Sequence, residues 1–219
     1  MKPTSIEGVF QKGDKLYTQN LQSCRGIKVY NERLVHYNNK EFRSWNPYRS
    51  KLAAAILKKL RIPINADSTV LYLGAATGTT VSHISDIVAH GMVYAVENSP
   101  LAASELIRLC KKRQNVIPIV EDANHPERYR FFLSSVDFLY QDISQRNQAE
   151  IFFENIQQYL KKDGAALLMV KARSIDVSLP PEKAYEMVAD KLRAYHLTLV
   201  DIVDLAAYER DHAAIVVSF

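Results

Sequence analysis

The chain has 219 residues, 47% hydrophobic and 24% charged, with a net charge of +4. That fits one medium folded domain with an appendage, or one domain with elaborated ends, large enough to bury its own core, and the charge is only a weak pointer to a polyanionic partner. Cys24 and Cys110 stand far apart with no CxxC pair, which excludes a disulfide framework or zinc ribbon; no metal site is expected. No apolar run reaches the ~20 residues of a bilayer span, and no signal-peptide core follows Met1, so a cytoplasmic protein without a membrane partner is expected.

Residues 1–45 read as a small antiparallel subdomain with one solvated face. Its strands are expected at Ile6–Phe10, Lys15–Thr18, Arg33–Tyr37 and Glu41–Arg43, with turns at Gly13-Asp14 and Asn38-Asn39. Residues 46–219 form the second domain. Leu52, Ala53, Ile56, Leu57 and Leu60 recur at helical spacing, so a helix is expected over Pro47–Leu60 with Asn46 as its cap. Strands then alternate with helices. Strands are expected at Thr69–Leu73, Met92–Val96, Val116–Val120, Val136–Tyr140, Ala165–Val170, Leu197–Val203 and Ala213–Phe219. Helices are expected at Thr79–Val88, Pro100–Lys112, Gln148–Leu160 and Pro181–Ala194. Apolar strands separated by helices make a parallel, doubly wound sheet. The link from Asp204 to His212 is too short for a helical crossover, so the last two strands pair antiparallel. The fold class is α/β: a seven-stranded, mostly parallel Rossmann-like sheet with a terminal antiparallel hairpin, the class I methyltransferase variant.

The organising stretch is Val70-Leu71-Tyr72-Leu73-Gly74-Ala75-Ala76-Thr77-Gly78-Thr79-Thr80-Val81, a strand, tight turn and helix start. Its glycines are expected to let backbone approach a ligand. A dinucleotide fingerprint, G-x-G-x-x-G, would carry a middle glycine to admit a pyrophosphate; here that glycine is missing. The nucleoside ligand expected is therefore one without phosphates, S-adenosylmethionine. In such sheets ligands sit beyond the carboxyl ends of the strands. The candidate cofactor residues are Gly74, Ala75, Gly78, Thr79 and Thr80, then Glu97 and Asn98, Asp122 and Ala123, and Asp142, Ile143, Ser144 and Gln145. Glu97 is assigned the ribose diol, an acid after the third strand the adenine amino group, and Asp142 the methionine end. The competing reading of each acid alone is a helix cap or turn residue.

The turn and its continuation through Ser82-His83-Ile84-Ser85-Asp86 resemble the fibrillarin family in its archaeal form. So do Trp45-Asn46-Pro47-Tyr48-Arg49-Ser50-Lys51, Val170-Lys171-Ala172-Arg173-Ser174-Ile175-Asp176, and Asp211-His212-Ala213. The resemblance covers nearly the whole chain, with Thr77 where serine is usual and Asn98 where an aromatic is usual. It implies a guide-RNA-directed 2′-O-methyltransferase, which moves methyl groups from S-adenosylmethionine to ribose hydroxyls of ribosomal RNA precursors and tRNA. The implied assembly is a box C/D ribonucleoprotein with a guide RNA, a Nop-type scaffold protein and a kink-turn-binding ribosomal-type protein.

The resemblance also implies a catalytic tetrad of Lys51, Asp142, Lys171 and His212. Asp142 is expected to orient both lysines, Lys171 to be the general base, His212 to pass the proton onward or hold the ribose, and Lys51 to hold an oxyanion or phosphate. Arg49 and Arg173 are candidate phosphate contacts, with solvated surface arginines as the alternative. His83 is expected to be a packed histidine, Cys110 a packed thiol, and Lys111-Lys112-Arg113 a complement to a helix dipole. Two other functions compete. A catalytically idle subunit of an RNA–protein complex is opposed by the intact tetrad. A nicotinamide oxidoreductase is opposed by the missing glycine and the terminal hairpin.

Overall fold

In the computed structural model, which describes residues 1–219, the alternating strands and helices close into two sheets. The small sheet holds β1 (Lys2–Pro3), β2 (Val9–Lys12), β3 (Lys15–Gln19), β4 (Leu34–Tyr37) and β5 (Lys40–Trp45), all antiparallel, in the order β1-β2-β3-β5-β4. Strand β2 starts at Val9 because Ile6 sits in a turn that Gly8 completes at positive φ.

The large sheet holds β6 (Thr69–Leu73), β7 (Met92–Val96), β8 (Val116–Ile119), β9 (Val136–Gln141), β10 (Leu160–Lys171), β11 (Thr198–Asp204) and β12 (His212–Ser218), ordered β11-β12-β10-β9-β6-β7-β8. Strands β6 to β10 pair in parallel. Strand β12 inserts antiparallel between β10 and β11, as the short 204–212 link requires. The helices are α1 (Lys51–Leu57), α2 (Thr79–Ile87), α3 (Pro100–Cys110), α4 (Gln148–Tyr159), the one-turn α5 (Ala172–Ile175) and α6 (Pro181–Ala194). None is long and apolar enough to cross a membrane.

Helix α1 begins four residues later than its apolar spacing suggests. Asn46 does not cap it: its carboxamide oxygen accepts from Tyr48 N at 3.0 Å, and Arg49 N reaches Asn46 O, closing a turn. Ser50, in extended conformation, is the cap, and its hydroxyl accepts from Ala53 N. The shift makes Lys51 the first helical residue.

The two faces of the large sheet bury separate cores. One contains Leu71, Leu139, Phe152, Val188, Leu192 and Ile215. The other joins sheet residues Tyr72 and Tyr140 to Ala53 of α1, Ile84 of α2, and Val9, Leu16 and Trp45 of the small sheet. The small sheet therefore packs directly on the helix layer. Helix α2 lies between the two sheets, with every residue from Thr80 to Ile87 buried. Its polar side is satisfied by an internal network. Arg43, fully buried on β5, bonds Glu32 at 2.6 Å, Asp86 at 2.8 Å and Ser82. Arg113 bonds the other oxygen of Asp86 at 2.6 Å and Asn20 at 3.1 Å. Thus Arg113 is an internal ion-pair partner and does not serve the helix dipole.

His83 is packed, as expected. It stacks on Trp45 with ring centroids 4.8 Å apart. Its Nδ1 lies 2.7 Å from Thr18 Oγ1 and its Nε2 lies 2.6 Å from the Tyr30 hydroxyl. Thr18 gives its one proton to Asp86, so Nδ1–H donates to Thr18, and Nε2 is left as an acceptor facing the Tyr30 hydroxyl, which also lies 3.0 Å from Ser44 O. Burial, with Arg43 and Arg113 nearby, holds this imidazole neutral, well below the ordinary histidine range.

Candidate active site

The carboxyl ends of β6, β7, β8 and β9 are tied together by backbone bonds. Gly74 N and Ala75 N reach Val96 O, Glu97 N reaches Ile119 O, and Asp142 N reaches Leu73 O. Beyond them opens a cavity of about 290 Å³. Its wall contains nine of the expected cofactor residues: Gly74, Glu97, Asn98, Asp122, Ala123, Asp142, Ile143, Ser144 and Gln145. It also contains Ala76, Val96 and Glu121. Four of its side chains are carboxylates, from Glu97, Glu121, Asp122 and Asp142, and none is basic.

Ala75, Gly78, Thr79 and Thr80 do not line this cavity. Ala75 is buried in the core, and Gly78 is the left-handed cap of α2, facing Leu106 and Leu109. Thr79 lines a separate cleft beside Tyr30 and Arg108. Thr80 donates to Ser50 Oγ at 3.0 Å, joining α2 to the cap of the helix that carries Lys51. The reason for Gly74 also changes. At φ +81°, a Cβ there would stand 2.3 Å from the Asp142 carbonyl oxygen, so this glycine lets two strand ends meet.

The acids are held in place by backbone and amide donors. Glu97 accepts from Ala76 N at 2.7 Å and Ser99 N at 2.8 Å. Asp122 accepts from both amides of Asn124, which keep its carboxyl below the usual range; Asn124 in turn donates to Gln145. Beneath the floor, Tyr72 and Tyr140 face each other across β6 and β9, their hydroxyls kept neutral by burial, with Asp142 adding to the effect at Tyr72.

The four tetrad residues gather at the same end of the sheet. Lys51 Nζ lies 2.9 and 3.0 Å from the two oxygens of Asp142. Lys171, last in β10, pairs in register with His212, first in β12. Lys171 Nζ lies 3.4 Å from Ser144 Oγ, so Asp142 holds one lysine rather than two. His212 donates from Nδ1 to Arg210 O at 2.6 Å, which leaves Nε2 as a buried lone pair without a partner. Burial lowers this imidazole's pKa, and the Lys51 charge lowers it further.

Neither candidate phosphate contact is a free arginine. Arg173 bonds Asp211 at 2.9 Å and Val177 O, bracing the corner before His212, where Asp211 adopts φ +60°. Arg49 lies over the Tyr30 ring. Cys110 is half-buried, its thiol pushed up to about 11 by burial. Two contributors carried no reading from sequence. Ser50 was masked by the stronger Asn46-Pro47 signal. Gln148, fully buried at the start of α4, bonds the Lys171 backbone. A lone polar residue at a helix start gives no such sign.

The architecture agrees with known proteins. The Fibrillarin family model matches residues 1–219. A fibrillarin-like rRNA/tRNA 2′-O-methyltransferase of Methanothermobacter thermautotrophicus is 46% identical over 213 residues, covering 97% of this chain and 94% of the relative. Aeropyrum pernix fibrillarin, solved with natively bound S-adenosyl-L-methionine, superposes with a TM-score of 0.89 at 40% identity, covering 99% of this chain and 96% of that one. A fibrillarin/Nop5p complex gives 0.91 at 40% identity, covering 99% of each chain. The chain belongs to the fibrillarin family along its whole length.

Proposed function

We propose that this chain transfers a methyl group from S-adenosylmethionine to ribose 2′-hydroxyls of ribosomal RNA precursors and tRNA. It does so as the catalytic subunit of a box C/D ribonucleoprotein, directed by a guide RNA. A Nop-type scaffold protein recruits it, and a kink-turn-binding ribosomal-type protein completes the particle; the reaction is assigned to the cytoplasm. The names of its relatives, one relative's bound cofactor and another's Nop5p partner support this reading.

The observation that carries the cofactor assignment is the wall of the cavity. Lys51 pairs Asp142 and Arg128 lies 3.8 Å from Glu121, but Glu97 and Asp122 have no ion-pair partner, and a wall with no basic side chain of its own disfavours a pyrophosphate and favours a cation. S-adenosylmethionine fits that donor set: Glu97 would hold the ribose diol, Asp122 the adenine amino group, and Asp142 would face the sulfonium. When bound, it supplies an electrophilic methyl group.

The chain's part is to orient the ribose and take its proton. Lys51 is committed to both oxygens of Asp142, and His212 Nε2 is buried. Lys171, with one long bond to Ser144, is the least committed of the four and is proposed to accept the 2′-proton. His212, neutral and with a free lone pair, offers the next acceptor.

Reconstitution with guide RNA and both partner proteins tests the function. The expected product is a guide-specified 2′-O-methyl group, with S-adenosylmethionine and not NAD binding in calorimetry. A complete particle that binds S-adenosylmethionine but leaves the target unmodified would identify an idle subunit.

A further inference from the structure

Strand β9 stops pairing with β10 at Gln141, opposite Leu168. The chain then leaves the sheet to form the 142–147 loop on the cavity wall. Lys171 lies three residues beyond Leu168, so its backbone has no strand on that side. Its other neighbour is His212, but the next β12 bond falls on Ala172 N, which reaches Asp211 O. Both backbone groups of Lys171 therefore need another partner.

Gln148 supplies it. Its Oε1 accepts from Lys171 N at 3.1 Å and its Nε2 donates to Lys171 O at 3.3 Å. The carboxamide takes the place of a strand peptide, with one donor and one acceptor on the same backbone. The same Nε2 donates to Gln145 O at 3.1 Å, and Gln148 O accepts from Gln141 Nε2 at 2.6 Å. Gln148 and Gln141 are both fully buried. One side chain thus ties the end of β10 to the loop that carries Ser144 and Gln145.

We infer that Gln148 is a positioning residue, which sets Lys171 against the cofactor loop by acting as a surrogate strand at the end of β10. The inference rests on the methyltransferase reading above. Without the carboxamide, β10 ends three residues early on this side, and the Lys171 ammonium loses its fixed distance to the loop. Removal of a buried amide also strands the Lys171 and Gln145 groups it served.

Gln148→Met keeps the volume and removes the bonds, and Gln148→Glu keeps an acceptor for Lys171 N. In the reconstituted particle, Gln148→Met is expected to lower the single-turnover methylation rate by roughly 100-fold, the scale of a misplaced reacting group. Calorimetric affinity for S-adenosylmethionine should change less than about threefold, because the carboxylates of the wall remain. Hydrogen exchange of the free chain should show the Lys171 amide losing protection in Gln148→Met and keeping part of it in Gln148→Glu, with the rest of β10 unchanged. A wild-type rate, an equal loss of rate and cofactor affinity, or unchanged Lys171 exchange would overturn the inference. If Gln148→Met does not fold, the same readouts on Gln148→Glu decide it. A wild-type particle with no activity would instead overturn the methyltransferase reading, while the exchange measurement still tests the tie.

Discussion

Lys51 and Asp142, 91 residues apart in sequence, meet with the ammonium nitrogen 2.9 and 3.0 Å from the two carboxylate oxygens. The first residue of one helix and the first residue after a central strand thus form a single charged unit. Its effect is to spend Lys51 on Asp142 and to fix the carboxylate at the cavity wall. Asp142→Asn should lower methyl transfer on the order of 10²–10³-fold, the usual cost of removing a preorganised charge from a reacting site. Combined with Lys51→Met, the loss should be much smaller than the sum of the single effects, because the two act together. Single-turnover rates of the three variants check this; full additivity would separate the residues.

Lys171→Met should abolish methyl transfer while leaving S-adenosylmethionine binding intact. Retained turnover in Lys171→Met removes Lys171 from the role of proton acceptor.

Gly74→Ala should damage fold and site together. The added carbon stands 2.3 Å from the Asp142 carbonyl oxygen, at a φ of +81°. The left-handed conformation alone costs about 1–2 kcal/mol, and separating the two strand ends adds to it. Denaturant unfolding should show a loss above about 2 kcal/mol, with weaker cofactor binding.

Arg43→Met should cost about 3–5 kcal/mol, the range for breaking a buried ion pair from one side. It leaves Glu32 without its guanidinium and Asp86 with Arg113 as its one cation, beside the Thr18 hydroxyl. Unfolding in urea measures the loss, and near-wild-type stability would mean that water repairs the site.

Stability should fall on mild acidification. His83 is held neutral in the fold, well below its ordinary range, by burial and by Arg43 and Arg113; His212 is lowered as well, first by burial. Below about pH 6.5 the unfolded chain takes up protons that the folded chain refuses. Stability is therefore flat above that value and declines beneath it, by up to about 1.4 kcal/mol per pH unit for each such histidine. Urea midpoints measured between pH 7.5 and 5.5 check the slope, which His83→Asn should reduce.

Periodicity located all seven strands of the large sheet, and the short link before His212 foretold the antiparallel end. Local pattern is enough there, because a strand buried on both faces must be apolar and a crossover needs a helix's length. The strand-end acids likewise marked the cavity, while of the two glycines only Gly74 borders it. Sequence could not say what Gly74, Thr80 and Arg113 touch. Each meets a partner from a distant segment: the Asp142 carbonyl, the Ser50 hydroxyl and the Asp86 carboxylate. The start of α1 turned on a competition between two capping signals, which the Asn46 turn resolved in favour of Ser50. Residue types and local spacing thus determined the fold class and the chemistry on offer. Only tertiary structure decided which lysine Asp142 holds and which side chain completes the sheet beside Lys171, since buried hydrogen-bonding groups take whatever partner the packing of distant elements brings within reach.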